Sequence, residues 1–188
     1  MPMNIEIVNL NTRYGQDSRK DLDIVLFKVN SKIDDRGEFT ENFKQSTTLE
    51  FTKHNFIPQQ QNLVRSKKNV FRGIHKSKTQ NKLVSCINGA IIDICVDLRE
   101  TSPYFGTIYM ARLTEADKLN LFVPKDFGHG YYSLANNTVV SYLLDGEYET
   151  NVEETWNASE ILNRIKEIDQ NEIIMSSKDL TANKLFFQ

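Results

Sequence analysis

Turn-forming residues break this chain into short pieces. From Asp23 onward, apolar-rich runs alternate with Gly, Pro, Asn and Asp, and helical periodicity is absent until Ile161. Such a rhythm belongs to a sandwich or barrel of strands rather than to packed helices. The expected strands are DIVLFKV, GEFTENF, NFIPQQQNL, NVFRGIH, NKLVSCI, GAIIDICVDL, YFGTIYMARL, LNLFVP, HGYYSL and TVVSYLL. Turns are expected at INGA, TSPYFG, VPKDFG and ANNT. In GAIIDICVDL, Ala90, Ile92, Ile94, Val96 and Leu98 share one face, and Ile91, Asp93, Cys95 and Asp97 share the other. That alternation suits a barrel wall with an apolar side and a partly polar lumen. Ile161, Leu162, Ile165 and Ile168 then repeat at helical spacing behind Asn157, Ala158 and Ser159, which predicts a short helix capped by Ser or Asn. The reading is an all-β domain over residues 23–188, with short C-terminal helices and a polar N-terminal arm over residues 1–22.

Charge excludes some partners. The 23 basic and 25 acidic side chains give a net charge of −2, without the basic excess of a nucleic-acid or membrane-surface protein. A local basic cluster stands at Arg65, Lys67, Lys68 and Arg72. The two cysteines, Cys86 and Cys95, lie in apolar stretches and read as buried free thiols. With no leader pattern and no membrane-length apolar run, the expectation is a cytoplasmic protein.

Three histidines narrow the chemistry. His54 has charged and polar neighbours and reads as solvated. His75 ends NVFRGIH, and its parity matches Arg72 only loosely. His129 lies between two glycines, which let the backbone approach another strand or a ligand. A metal-binding β-barrel would need a His-x-His pair, a glutamate soon after and a distant histidine. After His75 the chain runs KSKTQNKLV, a poor ligand set, so no metal is expected. Nucleophile elbows and dinucleotide or phosphate-loop motifs are also missing. Proton chemistry by His, Tyr, Lys and Asp remains.

The strings SKKNVFRGIH, NKLVSCINGAIIDICVDLRETSPYFG and LFVPKDFGHGYYSL resemble the dTDP-4-dehydrorhamnose 3,5-epimerase family. The likeness extends from DDRGEFTEN through VVSYLLDGEY to SSKDL, over roughly residues 23 to 180 in the family's order. It implies a cupin jelly roll (a double-stranded β-helix), a homodimer paired through N-terminal strands, and no metal or cofactor. By the same resemblance, His75 matches the catalytic base and Asp179 the carboxylate that orients it. Tyr142 matches the acid on the other face of the sugar, and Lys82 the lysine near the keto oxygen. Arg36, Glu41, Gln60, Asn62, Arg72 and His129 match positions that hold a nucleotide-diphosphate-linked sugar. The chain departs from the family where Leu143 replaces a common lysine and where Glu147 precedes Tyr148.

The implied set is chemically coherent. A proton beside a ketone is removable when a base takes it and a positive group stabilises the enolate. Histidine can take and return a proton near neutrality, and an aspartate fixes its ring and favours the imidazolium. Inversion needs a donor on the opposite face, and a tyrosine hydroxyl suits. Arginines suit a diphosphate. The leading reading is therefore inversion at C3, C5 or both of a nucleotide-linked 4-keto-6-deoxy sugar for surface polysaccharide synthesis. Alternatives are a single-carbon epimerase, a 3,4-ketoisomerase and a non-catalytic nucleotide-sugar binder. The joint presence of His75, Lys82, Tyr142 and Asp179 favours an enzyme.

Overall fold

A computed structural model of the chain describes residues 7–9, 23–147, 153–163, 165–166 and 168–182. In chain order the elements are β1 (Ile7–Asn9), β2 (Val25–Lys28), β3 (Ser31–Asp34), β4 (Gly37–Thr40) and α1 (Gln45–Thr52). Next come β5 (Gln60–Ser66), β6 (Phe71–Ser77), β7 (Lys82–Asn88), β8 (Ala90–Asp97) and β9 (Ile108–Thr114). The chain continues through β10 (Leu119–Val123), β11 (Phe127–Ser133), β12 (Thr138–Leu144) and β13 (Glu153–Thr155). It closes with α2 (Ser159–Leu162) and α3 (Ser177–Leu180).

Two sheets face each other. One runs β1-β9-β8-β11-β6-β13 and the other β2-β10-β7-β12-β5, while β3 and β4 pair only as a separate hairpin among the described residues. This is the expected all-β cupin jelly roll with short C-terminal helices. Ile7–Asn9, within the segment read as an arm, pairs in parallel with β9; RYGQDSRKDL lies outside the described residues. The expected turns at VPKDFG and ANNT are made by Asp126 and Asn137, both at positive φ. Among the described residues no helix is long and apolar enough to cross a membrane.

Three apolar layers result. Leu26, Val84, Cys86, Ile91, Cys95, Tyr109, Leu121, Tyr131 and Val140 fill the space between the sheets. The alternating face of β8 proves buried on both sides: Ile92, Ile94, Val96 and Leu98 pack outward against Ala158, Ile161, Leu162, Ile165 and Ile168. The C-terminal segment thus covers what an isolated barrel would leave exposed. Each of its four isoleucine and leucine side chains is at most 5% exposed, worth roughly 1.5–3 kcal/mol apiece. On the other sheet, Phe56 packs with Phe27, Leu83 and Phe122.

Two local expectations are corrected. Among its described residues the periodic segment forms only the single turn Ser159–Leu162, capped at Ala158 without a side-chain hydrogen bond. Asn157 stands one residue earlier, its Oδ1 accepting the Ser159 N–H at 2.9 Å. The apolar spacing that reads as helix is satisfied instead by irregular chain laid across the sheet. His54 is half-buried, its ring 4.9 Å from that of Phe122, because the loop after α1 folds back over the second sheet.

Candidate active site

The spacing of Arg72 and His75 resolves through a bulge. On a regular strand, residues three apart face opposite ways. Here His129 pairs with His75 and Tyr131 with Arg72, so three steps on β6 match two on β11. The extra residue restores common parity, and both side chains line one pocket. Gly73 makes this possible: its φ is +137°, and a Cβ there would lie 2.6 Å from the Gly130 Cα. Of the glycines around His129, Gly130 serves the same close strand contact, since a Cβ there would meet the Arg72 carbonyl oxygen at 2.7 Å, whereas a Cβ on Gly128 would meet the Ile74 side chain at 2.6 Å.

The pocket has a volume of about 570 Å³ and opens between the sheets, within the range that takes a small ligand. His75 stands on the six-stranded sheet and Tyr142 on the five-stranded one, so imidazole and phenol line it from opposite walls. Lys82 enters from the start of β7, with Asn62, Arg72 and His129 also in the lining. Val64, Val70, Ile174 and Met175 supply an apolar side.

The C-terminal segment closes the site. Ile174 is stitched to the β5–β6 connection: its N–H donates to the Asn69 carbonyl, and its carbonyl accepts from Phe71, both at 2.9 Å. This delivers α3, whose Asp179 N–H donates to the Ser176 hydroxyl at 3.2 Å. The Asp179 Oδ1 lies 2.7 Å from His75 Nε2 across 104 residues of chain. Burial alone would raise the Asp179 carboxyl, but the His75 bond and charge, with Ser176 and the Gly73 N–H, hold it below the usual carboxylate range. An ionised Asp179 is acceptor-only, so His75 Nε2 carries the hydrogen of this bond and Nδ1 is the ring nitrogen that Asp179 leaves unengaged.

Burial acts on the other groups too. It pushes the Tyr142 phenol well above the ordinary range, aided by Tyr131 and Asp93 and opposed by Arg72. The hydroxyl is therefore protonated at neutral pH and ready to donate. Burial pushes the Lys82 ammonium down, opposed by the charges of Glu153 and Asp93. A desolvated cation in a pocket is suited to an enolate or carbonyl oxygen.

Not every expected residue joins this site. Gln60 stands beside it, its Nε2 donating to Asn62 Oδ1 at 2.8 Å. Arg36 and Glu41 are absent from the lining. Arg36 has a side chain 90% exposed and pairs with Asp34 at 2.6 Å, within the turn that joins β3 to β4. Sequence reasoning missed Asp93, Glu153, Gln80 and Lys178. Asp93 was legible as a carboxylate on the inner face of GAIIDICVDL, and its oxygens sit 2.9 and 3.0 Å from His129 Nε2. Nothing in the sequence signals Glu153, which only strand pairing brings to His75.

Asp93, Cys95 and His129 hold their ligand atoms within 4.8 Å of one another, all buried. The donor set suits a metal poorly. Burial, followed by Asp93, pushes the Cys95 thiol well above its ordinary value, so it is a neutral thiol rather than a thiolate ligand.

The comparisons with known proteins agree with this geometry. The family model described as dTDP-4-dehydrorhamnose 3,5-epimerase matches residues 21–186. A dTDP-4-dehydrorhamnose 3,5-epimerase of Mycolicibacterium smegmatis is 31% identical over 157 residues, 82% of this chain and 77% of that protein. A dTDP-6-deoxy-D-glucose-3,5-epimerase from Legionella pneumophila, solved with dTDP-4-keto-L-rhamnose, is 29% identical. It superposes with a TM-score of 0.83 over 92% of each chain. A 3'-monoepimerase from Streptomyces bikiniensis, solved with dTDP-quinovose, is 25% identical with a TM-score of 0.79, covering 86% of this chain and 83% of that one.

Proposed function

The chain belongs to the dTDP-4-dehydrorhamnose 3,5-epimerase family, and from that premise we propose that His75 and Tyr142 perform its proton transfers. The protein is an isomerase, an epimerase of nucleotide-sugar biosynthesis. In the proposed reaction, a nucleotide-linked 4-keto-6-deoxy sugar lies between the sheets. His75 Nδ1 takes the proton from a carbon beside the ketone, and the electron pair moves onto the keto oxygen, which the Lys82 ammonium stabilises. Tyr142 then returns a proton to that carbon from the opposite face. Asp179 keeps the imidazole oriented. Arg72, Asn62, Gln60 and His129 hold the nucleotide-sugar, Arg72 chiefly through the diphosphate. The observation carrying this reading is the placement of base and phenol on opposite walls of one pocket.

The fold hosts both 3,5-epimerases and a 3'-monoepimerase, so the number of inverted carbons is a property of the pocket. Turnover of a panel of dTDP- and GDP-linked 4-keto sugars in D2O reads it directly. Deuterium at both C3 and C5 is expected, while label at one carbon would make this a single-carbon enzyme. A panel with no exchange at all would overturn the epimerase reading.

A homodimer is part of the proposal. The β3–β4 hairpin holds Ile33 81% and Phe39 66% exposed, and edge strand β5 carries Leu63 at 66%. Apolar side chains in those places favour burial against a second copy. Arg36 and Glu41 would then meet the nucleotide in the partner's pocket. Light scattering at micromolar concentration should give twice the chain mass; a monomer would remove Arg36 and Glu41 from the site. Residues 23–188 act as one catalytic unit. The free, buried thiols of Cys86 and Cys95 suit a reducing compartment, the cytoplasm.

A further inference from the structure

His75 has a carboxylate beside each ring nitrogen. On β13, Glu153 pairs with Ser77 while Thr155 pairs with His75. Glu153 is therefore the diagonal neighbour of His75 on the same face. Its Oε1 lies 3.7 Å from His75 Nδ1 and 2.8 Å from Lys178 Nζ. Both Glu153 and Lys178 line the pocket. The Glu153 side chain is 9% exposed, that of Lys178 53%.

We propose that Glu153 is a positioning residue for the base, stabilising the imidazolium that forms on His75 when the carbon proton arrives, with Lys178 setting how strongly it does so. The inference rests on the reading of His75 as the base. At 3.7 Å the carboxylate is too far for a hydrogen bond to Nδ1, so it acts through space and leaves the lone pair open to carbon. Lys178, bonded to the same oxygen, holds the carboxylate and offsets part of its charge. As the proton moves to Nδ1 and its electron pair to the enolate, the ring becomes positive between two carboxylates. Asp179 supports one side and Glu153 the other.

The electrostatics agree. Burial raises the Glu153 carboxyl, but the charge of His75 and the bond to Lys178, with Lys82, bring it below the usual range. The charged groups around the ring are Asp179 and Lys178 from α3, Glu153 from β13, Lys82 from β7 and Arg72 from its own strand. Among the described residues His129 and Tyr142 complete the titratable set, and of these only Asp179 and Glu153 are carboxylic acids.

The test is the pH dependence of C–H exchange in D2O, with the panel sugar that the wild type exchanges fastest, starting from dTDP-4-keto-L-rhamnose. Glu153→Gln should slow exchange about tenfold at neutral pH with KM little changed, and move the acidic limb about one pH unit lower. Lys178→Met removes the opposing charge and should move the same limb upward. Shifts of opposite sign are a signature that a merely structural role does not produce, and Lys178→Met keeps the test intact if Glu153→Gln fails to fold. Unmoved limbs in both variants, with His75→Asn inactive, would overturn the role of Glu153 alone. Exchange surviving in His75→Asn would overturn the base itself.

Discussion

The molecule builds a histidine–aspartate pair twice, and the two copies differ in everything but chemistry. His129 and Asp93 sit on adjacent strands β11 and β8, with side chains 4% and 0% exposed. His75 and Asp179 join a strand to a C-terminal helix 104 residues away, and the histidine is 26% exposed. The first pair is buried in the barrel, with His129 reaching the pocket wall, and truncating one partner of such a buried pair is costly. The second is assembled at a rim, with one ring nitrogen held and the other turned to a pocket that also presents Lys82 and Tyr142. Both histidines reach the same pocket, so pairing with a carboxylate does not by itself assign a role; their burial is what separates them.

Asparagine at the two histidines tests that contrast most severely. His75→Asn should cut C–H exchange by about 10³-fold while nucleotide-sugar binding and thermal stability stay near wild type. His129→Asn leaves Asp93 buried without its partner and should lower stability by about 3 kcal/mol or more, measured by denaturant unfolding. Equal losses of exchange in two stable variants would mean that both pairs act in catalysis.

Tyr142→Phe sharpens the comparison from the opposite wall. It removes a hydroxyl and keeps the ring contacts with His129 and Tyr131, whose centroids lie 5.9 and 6.3 Å away. Epimer formation should fall about 10²-fold, and label should enter recovered substrate faster than epimer appears, because His75 still abstracts and returns a deuteron. Epimerisation at the wild-type rate would reduce Tyr142 to packing.

The smallest effect concerns acid. Asp179 is held below the usual carboxylate range, and so is Asp97, where the Arg99 and Ser102 bonds outweigh burial. Stability from a depressed carboxylate is complete above its unfolded pKa and is lost as pH falls through the folded value. Thermal midpoints should therefore be flat near neutrality and fall below about pH 4. Asp97→Asn should be less stable at pH 7 and show a shallower acid decline. An unchanged decline in that variant would assign the acid loss to other carboxylates.

The alternation in GAIIDICVDL and the regular turn signals were enough for an all-β chain, because side-chain parity and turn chemistry are local properties. The motifs RGIH, NKLV, VVSYLL and SSKDL were enough to name His75, Lys82, Tyr142 and Asp179 as residues worth bringing together. Whether they meet is not a local property. His75 and Arg72 share a face only because β6 bulges against β11, which no spacing rule reveals. Asp179 reaches His75 because the chain after α2 docks its apolar side chains on the outer face of the sheet and bonds Ile174 to the β5–β6 connection. The same docking turned an apparent helix into one turn followed by irregular chain. Glu153 became a neighbour of His75 through a three-residue strand whose pairing depends on tertiary context. Sequence carries the residue types and their periodicity. Long-range packing decides which of them share a pocket, since that depends on how separate surfaces close on one another.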